Sequence, residues 1–325
     1  MPGAARFLAA AWYRADPWLW LLRPLEGLYR LAVGTRVWLY RSGIFNTYQP
    51  ERPVVVVGNI TTGGTGKTPF VIALVDALEA RGISAGVVSR GYGARGGGFP
   101  HIVGDGSTAG DCGDEPLLIH RRTGSPCVVS PSRVDACRAL LEAYSVDLVI
   151  SDDGLQHYAL GRTLEIALFD VALGVGNGFC LPAGPLREPL RRLDTVDFSL
   201  RRGSRGIDGD VIYQPDCLVN LRDNRELAPT PRELGAHIYA VSGIAEPQQF
   251  ADMLEGLGFE PESVNFGDHH DFQEDDLKGL VGKPIIMTEK DAVKCAAFAG
   301  ENSWYLRIHP HNPEAVIDAV AALGK

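Results

Sequence analysis

The sequence predicts an α/β fold, with a mostly parallel sheet between two layers of helices and a smaller second α/β lobe. Three observations support this prediction. Short apolar runs rich in β-branched residues alternate with helical or glycine-rich stretches, as they do in βαβ units. One of these runs, residues 54–58, leads into a glycine-rich loop and then into a helical pattern. A second, smaller series of strands and helices follows residue 235.

The candidate strands divide the chain into parts. In a parallel sheet covered by helices, ligands bind beyond the carboxyl ends of the strands, so the segments after those ends are the candidate site. The strands of the larger unit are residues 54–58, 86–89, 127–130, 148–153 and 165–170. Those of the smaller unit are residues 238–241, 284–288 and 304–308, with helices at 246–257 and 313–323. Short strands with polar, proline-rich links occupy 198–235, which predicts an N-terminal segment 1–50 and lobes at 51–200 and 201–325.

Charge and cysteine content exclude several classes of protein. The chain of 325 residues has a formal net charge of -9, but residues 1–50 hold six arginines against Asp16 and Glu26. The main body is therefore acidic, which argues against a general nucleic-acid binder. Six cysteines are scattered without a C-x-x-C pair, a spacing that suits neither a zinc ribbon nor a disulfide scaffold. We expect them to be buried thiols in a reducing compartment.

The first fifty residues contain four of the five tryptophans. Their apolar runs are too short to span a bilayer, which takes ~20 residues, and they lack the pattern of a signal peptide. Helical spacing fits better, with a start at Asp16-Pro17 and a kink or restart at Pro24. Arginines on one face and Trp and Leu on the other are typical of a helix lying in a membrane interface. Packing on the main domain explains the pattern equally well. The predicted apolar face comprises Trp18, Leu21, Leu22, Leu25, Leu28, Tyr29, Ala32 and Val33, and the predicted polar face Arg23, Glu26, Gly27, Arg30 and Gly34.

A phosphate-binding loop follows the strand at 54–58. Its residues are Thr61, Thr62, Gly63, Gly64, Thr65, Gly66, Lys67 and Thr68. Glycines let backbone N–H groups surround phosphate oxygens, and the following helix N-terminus adds positive potential. We expect Lys67 to reach the β- and γ-phosphates of ATP and Thr68 to offer its hydroxyl to Mg²⁺. The loop departs from the usual pattern because Thr61 replaces the first glycine. It also resembles the loops of partitioning ATPases, but Thr62 stands where those have an extra lysine.

Carboxylates follow the strand at residues 148–153. Asp152 and Asp153 are natural partners for Thr68 around Mg²⁺, although a polar strand-to-loop turn would look the same. Asp114 and Glu115 precede an apolar run, which places both acids at a helix N-terminus. Farther on, His269 and His270 stand between two aspartates. They could hold a metal, but adjacent side chains rarely point at one ion, so a histidine paired with a carboxylate as proton acceptor is the sharper hypothesis.

Taken together, these motifs resemble one family, the tetraacyldisaccharide 4'-kinases of Gram-negative bacteria, which phosphorylate a lipid A precursor. The matching segments, in the family's order, are T-T-G-G-T-G-K-T-P at 61–69, S-R-G-Y-G at 89–93, G-D-E-P at 113–116, residues 130–133, D-D-G-L-Q-H at 152–157, L-P-A-G-P-L-R-E-P at 181–189, D-H-H at 268–270 and T-E-K-D at 288–291. Leu155 stands where phenylalanine is as frequent, which is a change of packing.

The resemblance implies ATP-dependent phosphorylation of the 4'-hydroxyl of a tetraacylated glucosamine disaccharide 1-phosphate. It implies two α/β/α lobes joined by a short two-stranded linker, and a catalytic pair, Asp114 with His269. We expect Lys67 and the loop amides to hold the phosphates while Asp114 accepts the proton of the sugar hydroxyl. The expected metal ligands are Thr68, Glu115, Asp152 and Asp153. The expected substrate contacts are Arg133, Gln156, His157, Arg187 and Glu188.

The expected partners are the lipid disaccharide and the anionic surface of the bacterial inner membrane, on its cytoplasmic face, with ATP and Mg²⁺ at the loop. The motifs indicate no nucleic acid and no obligate protein partner. Two alternatives stay open on the residues alone. One is an ATPase switch of the partitioning class that senses membrane through its N-terminal helix, and the other is a kinase for a soluble metabolite. The replaced lysine at Thr62 disfavours the first, and the tryptophan-rich basic terminus disfavours the second.

Overall fold

The computed structural model describes residues 2–203 and 210–324, and in it a seven-stranded sheet forms the larger unit. Its strand order is β3-β4-β2-β5-β1-β6-β7, and every neighbouring pair is parallel except β3 with β4. The strands are β1 (Val54–Gly58), β2 (Ala85–Ser89), β3 (His101–Val103), β4 (Cys127–Val129), β5 (Leu148–Asp152), β6 (Leu164–Asp170) and β7 (Phe198–Arg202). The α/β fold predicted from the alternating pattern is confirmed.

Helices cover both faces of this sheet. The first six are α1 (Pro2–Arg14), α2 (Arg23–Arg41), α3 (Lys67–Glu79), α4 (Ala109–Cys112), α5 (Asp114–Thr123) and α6 (Arg133–Ala143), and short 3₁₀ helices lie at Pro17–Leu22 and Leu190–Thr195. All five residues of β1 are buried, and alternate valines of the strand join two separate apolar cores. A strand with both faces covered reads as a continuous apolar run. This explains why the apolar run at 54–58 predicts a buried strand.

A six-stranded sheet forms the smaller unit, in the order β11-β10-β12-β13-β8-β9. Its strands are β8 (Ile212–Asn220), β9 (Glu226–Leu227), β10 (His237–Ser242), β11 (Glu260–Asn265), β12 (Ile285–Thr288) and β13 (Ser303–His311). Its helices are α7 (Pro231–Leu234), α8 (Pro247–Gly256), α9 (Glu274–Lys278), α10 (Glu289–Cys295) and α11 (Glu314–Ala321). The sequence did not predict β3, β9 or β11. The last is a polar strand containing Pro261, which an edge position tolerates.

The two units are joined through the long antiparallel pair of β8 and β13. The outer ends of these strands, residues 212–214 and 309–311, pair with each other and lead toward the larger sheet. After β13 the chain returns, and α11 packs in the core of the larger unit with Val316 and Val320. The predicted boundary between the lobes at residue 201 stays a prediction. Residues 204–209 of the predicted second lobe lie outside the described residues. The C-terminal helix, in contrast, belongs by its packing to the first lobe.

The N-terminal segment is helical, and the chain restarts its helix at Arg23, next to Pro24, as predicted. The predicted orientation of its faces was partly wrong. Glu26, expected on the outer polar face, is buried and accepts a hydrogen bond from the Cys180 N–H at 3.1 Å. Tyr29 and Leu22, predicted on the apolar face, are partly buried against the domain, as the packing alternative expects. The fully outward face is apolar, with Leu21, Leu25, Leu28 and Leu31 all more than half exposed.

Two further predictions about the chain agree with the structure. No helix among the described residues is long and apolar enough to cross a bilayer. All six cysteines are buried and unpaired. Burial raises the pKa of several of these thiols, that of Cys137 to about 11 for example, so they remain neutral. They act as small apolar side chains.

Candidate active site

The phosphate loop connects β1 to α3 and is anchored on a second loop at its side. The Thr62 N–H donates to the Pro185 carbonyl at 2.8 Å, and the Arg187 N–H donates to the Ile60 carbonyl at 2.6 Å. The loop therefore lies directly against the L-P-A-G-P-L-R-E-P segment. Gly66, at the N-cap of α3, has a left-handed φ of +75°, and a Cβ atom there would lie 2.7 Å from the Tyr213 ring. Only glycine fits this position.

Two residues of the linker region, Arg202 and Tyr213, hold the end of this loop. The Tyr213 hydroxyl donates to the Gly66 carbonyl, and the Arg202 guanidinium lies over the Tyr213 ring at 5.3 Å. Arg202 also forms a buried ion pair with Asp170 at the end of β6. Sequence reasoning missed all three residues because they lie outside any motif. Their contacts with the loop and with each other follow from the strand order, which the sequence does not show.

Lys67 of the loop forms an ion pair with Asp153. The Lys67 ammonium lies 3.4 Å from an Asp153 carboxylate oxygen, and Arg187 donates to the same carboxylate at 3.1 and 3.2 Å. Burial raises the pKa of Asp153, but the charges of Lys67 and Arg187 outweigh it and bring the pKa well below its ordinary value. Asp153 is thus an anion held between two cations, one from each loop.

Asp152, in contrast, is a buried carboxylate with no hydrogen-bond partner among the described residues. Desolvation, followed by the negative charge of Glu115, raises the pKa of Asp152. A cation would relieve both effects, so the residues present fit the Mg²⁺ that the resemblance implies. The described residues contain no cluster of three His, Cys, Asp or Glu that would hold a metal alone. Thr68 and phosphate oxygens would complete the ligand set.

Asp114 is the first residue of α5, as the sequence predicted. It is buried, and its Oδ1 accepts the Glu115 N–H at 3.0 Å. The preceding Gly113 has a φ of +89°, and a Cβ atom there would lie 2.6 Å from the Tyr92 carbonyl oxygen. The G-D-E-P glycine is therefore required by the close approach of two backbones. That approach fixes the backbone at the start of α5, where Asp114 lies.

His269 reaches Asp114 from the second lobe. Its Nδ1 lies 3.0 Å from Asp114 Oδ2, while the His270 Nε2 lies 2.9 Å from Asp276 on α9. The two adjacent rings point at different partners, which agrees with the histidine–carboxylate hypothesis rather than a shared metal ion. His269 has a left-handed φ of +56°, and its N–H donates to the Gly243 carbonyl at 3.2 Å. Such backbone strain persists only where the surroundings enforce it.

Two lysines of α10 surround this pair. Lys290 Nζ lies 3.9 Å and Lys294 Nζ 3.7 Å from Asp114 Oδ2. Burial raises the pKa of Asp114, but the hydrogen bond from His269 and the charges of the two lysines outweigh it and lower the pKa. The sequence offered a signal for one of these lysines, since Lys290 belongs to T-E-K-D whereas Lys294 lies outside it. The motif had no role assigned to it.

The predicted substrate residues lie around Asp153, although not all of them face open space. Gln156 donates to Glu188 Oε1 at 2.9 Å, and Glu188 is buried. Arg133 is buried too and donates to the backbone carbonyl of Asp152 at 2.9 Å. Desolvation and the charge of Arg133 lower the pKa of His157 to about 4. Arg187, Gln156 and His157 keep partial exposure, while the position of Arg133 favours holding Asp152 over contacting substrate.

A cleft between the two lobes opens beside the phosphate loop. Its polar end holds Lys67, Thr68, Glu115 and Lys290, and its other end is lined by second-lobe side chains, among them Ile244, Phe250, Met253, Leu306 and Ile308. A neighbouring cavity is lined by Asp114 and His269 together with Tyr92 and Arg121. Asp114 and His269 thus lie beside the phosphate-loop cleft and line the neighbouring cavity. Two substrates could meet across this pair.

Comparison with known proteins agrees with this geometry. A solved structure, the "apo" form of LpxK from Aquifex aeolicus in complex with ATP, superimposes with a TM-score of 0.78 at 27% identity, covering 94% of this chain and 99% of that one. The chain is 45% identical over 316 residues to the tetraacyldisaccharide 4'-kinase of Aeromonas hydrophila, covering 96% of this chain and 94% of the relative.

Other comparisons extend over the same length. The tetraacyldisaccharide 4'-kinase of Alcanivorax borkumensis is 44% identical over 329 residues, with all of both chains covered. That of Pseudomonas paraeruginosa is 48% identical over 304 residues, covering 93% of this chain and 92% of the relative. The model of the tetraacyldisaccharide-1-P 4'-kinase family matches residues 18–324. With the phosphate loop, the unpaired Asp152 and the Asp114–His269 pair in place, the chain belongs to the tetraacyldisaccharide-1-P 4'-kinase family.

Proposed function

We propose that this chain transfers the γ-phosphoryl group of ATP to the sugar hydroxyl through the Asp114–His269 pair. The reaction of its family is the ATP-dependent phosphorylation of the 4'-hydroxyl of a tetraacyl disaccharide 1-phosphate, a step of lipid A biosynthesis. One observation supports these roles above the others. Asp114 and His269 line a cavity that lies next to the phosphate-loop cleft. ATP would occupy the cleft and the acceptor hydroxyl would approach from the neighbouring cavity.

The residues of the cleft have distinct roles in this proposal. Lys67 and the loop amides hold the phosphates, and in-line transfer needs mainly such positioning and charge stabilisation. When bound, Mg²⁺ would neutralise phosphate charge, held by Thr68, Asp152, Asp153 and Glu115. Asp114 accepts the proton of the hydroxyl, because its lowered pKa keeps it a carboxylate at neutral pH. The apolar end of the cleft suits the base of the nucleotide.

The N-terminal helices would place the enzyme on a membrane. The outward face of α2 is apolar and Arg30 and Arg36 lie at its exposed side, a composition suited to the anionic cytoplasmic leaflet of the inner membrane. The substrate carries acyl chains and would be found there. Residues 1–50 would then form the membrane-association segment, 51–200 the nucleotide-binding lobe and 201–325 the second lobe, except for α11, which packs in the core of the first lobe. Arg187, Gln156, His157, Glu188 and Arg133 would line or support the path of the disaccharide.

The test is transfer of labelled γ-phosphate from ATP to a tetraacyl disaccharide 1-phosphate. We expect a lipid product labelled at the 4'-position and little ATP turnover without the lipid. An ATPase switch of the partitioning class would hydrolyse ATP alone or on dimerisation. Rapid lipid-independent hydrolysis with no labelled lipid would overturn the proposal, and a labelled water-soluble acceptor would support the metabolite-kinase alternative instead.

A further inference from the structure

The T-E-K-D motif holds the loop that presents His269. Thr288 caps the N-terminus of α10, and its hydroxyl donates to Asp291 Oδ2 at 2.6 Å. Asp291 is completely buried, and the same carboxylate oxygen accepts the Gly243 N–H at 2.8 Å. The Gly243 carbonyl in turn accepts the His269 N–H. The motif therefore fixes the backbone of His269 from beneath, and its lysine points toward the ring.

Lys290 contacts the second nitrogen of the His269 ring, Nε2, while the first, Nδ1, contacts Asp114. Its Nζ lies 3.2 Å from His269 Nε2, 3.3 Å from Glu115 Oε1 and 3.5 Å from Asp268 Oδ1. Only 18% of the Lys290 side chain is exposed, so these neighbours define its position. An ammonium group can donate hydrogen bonds but cannot accept them. In this contact His269 Nε2 must therefore be the acceptor.

The contact decides where the ring proton lies. A neutral imidazole has one N–H and one acceptor nitrogen, so if Nε2 accepts from Lys290 the proton is on Nδ1. Nδ1 is the atom that lies 3.0 Å from Asp114 Oδ2. With the proton on Nε2 instead, an Nδ1 lone pair would face the carboxylate, and the ammonium would face an N–H. Both contacts would then be repulsive.

We propose that Lys290 is a positioning residue for phosphoryl transfer, which holds His269 in the tautomer that donates Nδ1–H to Asp114. The proposal rests on the proposed role of the Asp114–His269 pair. Lys290 and His269 both belong to the second lobe, whereas Asp114 belongs to the first. The ring is thus oriented within one lobe and meets its carboxylate partner across the cleft. Glu115 and Asp268 keep the ammonium in place by their charge.

Kinetics test this role with a matched control. Lys290→Met keeps most of the unbranched side chain and removes the ammonium group, and we expect kcat to fall on the order of 10–100-fold, as for partners that orient a functional histidine. KM for ATP should change little. Lys278→Met is the control, because this lysine of the same lobe is exposed and pairs only with Glu274 and Asp275 among the described residues. Lys290→Arg should restore part of kcat.

A double-mutant cycle separates this role from a structural one. If Lys290 acts through the His269 ring, Lys290→Met should cost little further activity in a His269→Ala background. An equal loss in both backgrounds, with unchanged melting temperatures, would overturn the proposal. If His269→Ala keeps full activity, the proposed function of the pair fails, and that result is distinct from a failure of the Lys290 proposal.

A spectroscopic test needs no activity at all. In ¹⁵N-histidine-labelled wild-type protein, with His269→Gln used to assign the signals, we expect His269 to show a protonated Nδ1 and an unprotonated Nε2. In Lys290→Met we expect this preference to weaken. A protonated Nε2 with a bare Nδ1 in the wild-type protein would contradict the proposal, even if Lys290→Met should fail to fold.

Discussion

The Tyr29 hydroxyl on α2 donates a hydrogen bond of 2.8 Å to the backbone carbonyl of Arg187. Arg187 is the residue whose guanidinium reaches Asp153 and whose N–H donates to the carbonyl of Ile60, between β1 and the phosphate loop. Glu26, one turn earlier on the same helix, accepts the Cys180 N–H. The helix proposed to lie on the membrane is therefore attached directly to a loop proposed to contact the substrate.

Tyr29→Phe should weaken the use of lipid without changing the use of ATP. The substitution removes one hydrogen bond, worth about 1 kcal/mol, so we expect KM for the disaccharide to rise about fivefold. Tyr40→Phe is a matched control on the same helix, because that ring packs against Phe45 and Tyr158 and the substitution keeps the ring. Steady-state kinetics with each substrate varied will check this. A rise in KM for ATP alone would contradict the proposed connection.

The outward apolar face of α2 should drive membrane binding. Leu25 and Leu28 of α2 are 52% and 64% exposed, and Leu21, in the 3₁₀ helix just before α2, is 80% exposed. Burying a leucine side chain is worth ~1.5–3 kcal/mol. Replacing all three by Gln should therefore lower partitioning into anionic phospholipid vesicles by ~10²-fold or more. Val281→Gln, an exposed site in the second lobe, is the control. Vesicle sedimentation will measure both, and unchanged binding of the triple variant would mean that this face has another purpose.

The orientation of this helix shows what periodicity alone can and cannot predict. The sequence indicated an amphipathic helix with a restart at Pro24, and both are present. It could not show which face meets the protein, because Glu26 is buried by a partner, the Cys180 N–H, that lies 154 residues away. Arg23 likewise contacts a residue far away in the sequence, since its guanidinium lies over the Phe179 ring. A buried polar residue satisfied by a distant backbone group leaves no local pattern.

Lys67→Ala should nearly abolish phosphoryl transfer while leaving the fold intact. Lys67 sits over Asp153 and supplies charge rather than apolar packing, and one such contact is usually worth ~10²-fold or more in rate. Lys283→Ala, which removes an exposed lysine paired with Glu262, is the control. The measurements are the rate of labelled product formation and the melting temperature. Activity of Lys67→Ala within about tenfold of wild type would refute the phosphate-loop assignment.

The stability of the protein should depend on His157 at acidic pH. Desolvation lowers the pKa of His157 in the fold to about 4, against 6.5 ordinarily. The unfolded chain therefore binds a proton between these values that the folded chain does not, so His157 contributes stability above pH 6.5 and loses it as pH falls toward 4. This change amounts to about 2–3 kcal/mol.

Urea unfolding of His157→Gln and wild type at several pH values checks this. The free energy of unfolding of wild type minus that of His157→Gln should fall steadily, by about 2–3 kcal/mol, from pH 7 to pH 4. Parallel curves for His157→Gln and wild type would show that the ring is protonated as readily in the fold as outside it.

Much of the candidate site was predictable because its residues follow strands. The phosphate loop follows β1 and Asp152 ends β5, so the parallel order of the strands brings both to one edge. The link between Asp114 and His269 depended on family resemblance, since 155 positions separate them. Tyr213 and Lys290 escaped prediction for a physical reason. The Tyr213–Gly66 and Lys290–Glu115 contacts cross between the lobes, and no local pattern in the sequence indicates which residues meet there.

Asp114 and His269 are proposed to act as one unit in moving the proton of the acceptor hydroxyl. The most direct measurement is a double-mutant cycle on kcat for labelled transfer, with Asp114→Ala, His269→Ala and the combined variant. Groups that act together are non-additive, so the double variant should be little worse than the poorer single variant, and ATP binding should be largely kept. Losses that multiply in the double variant would contradict the claim.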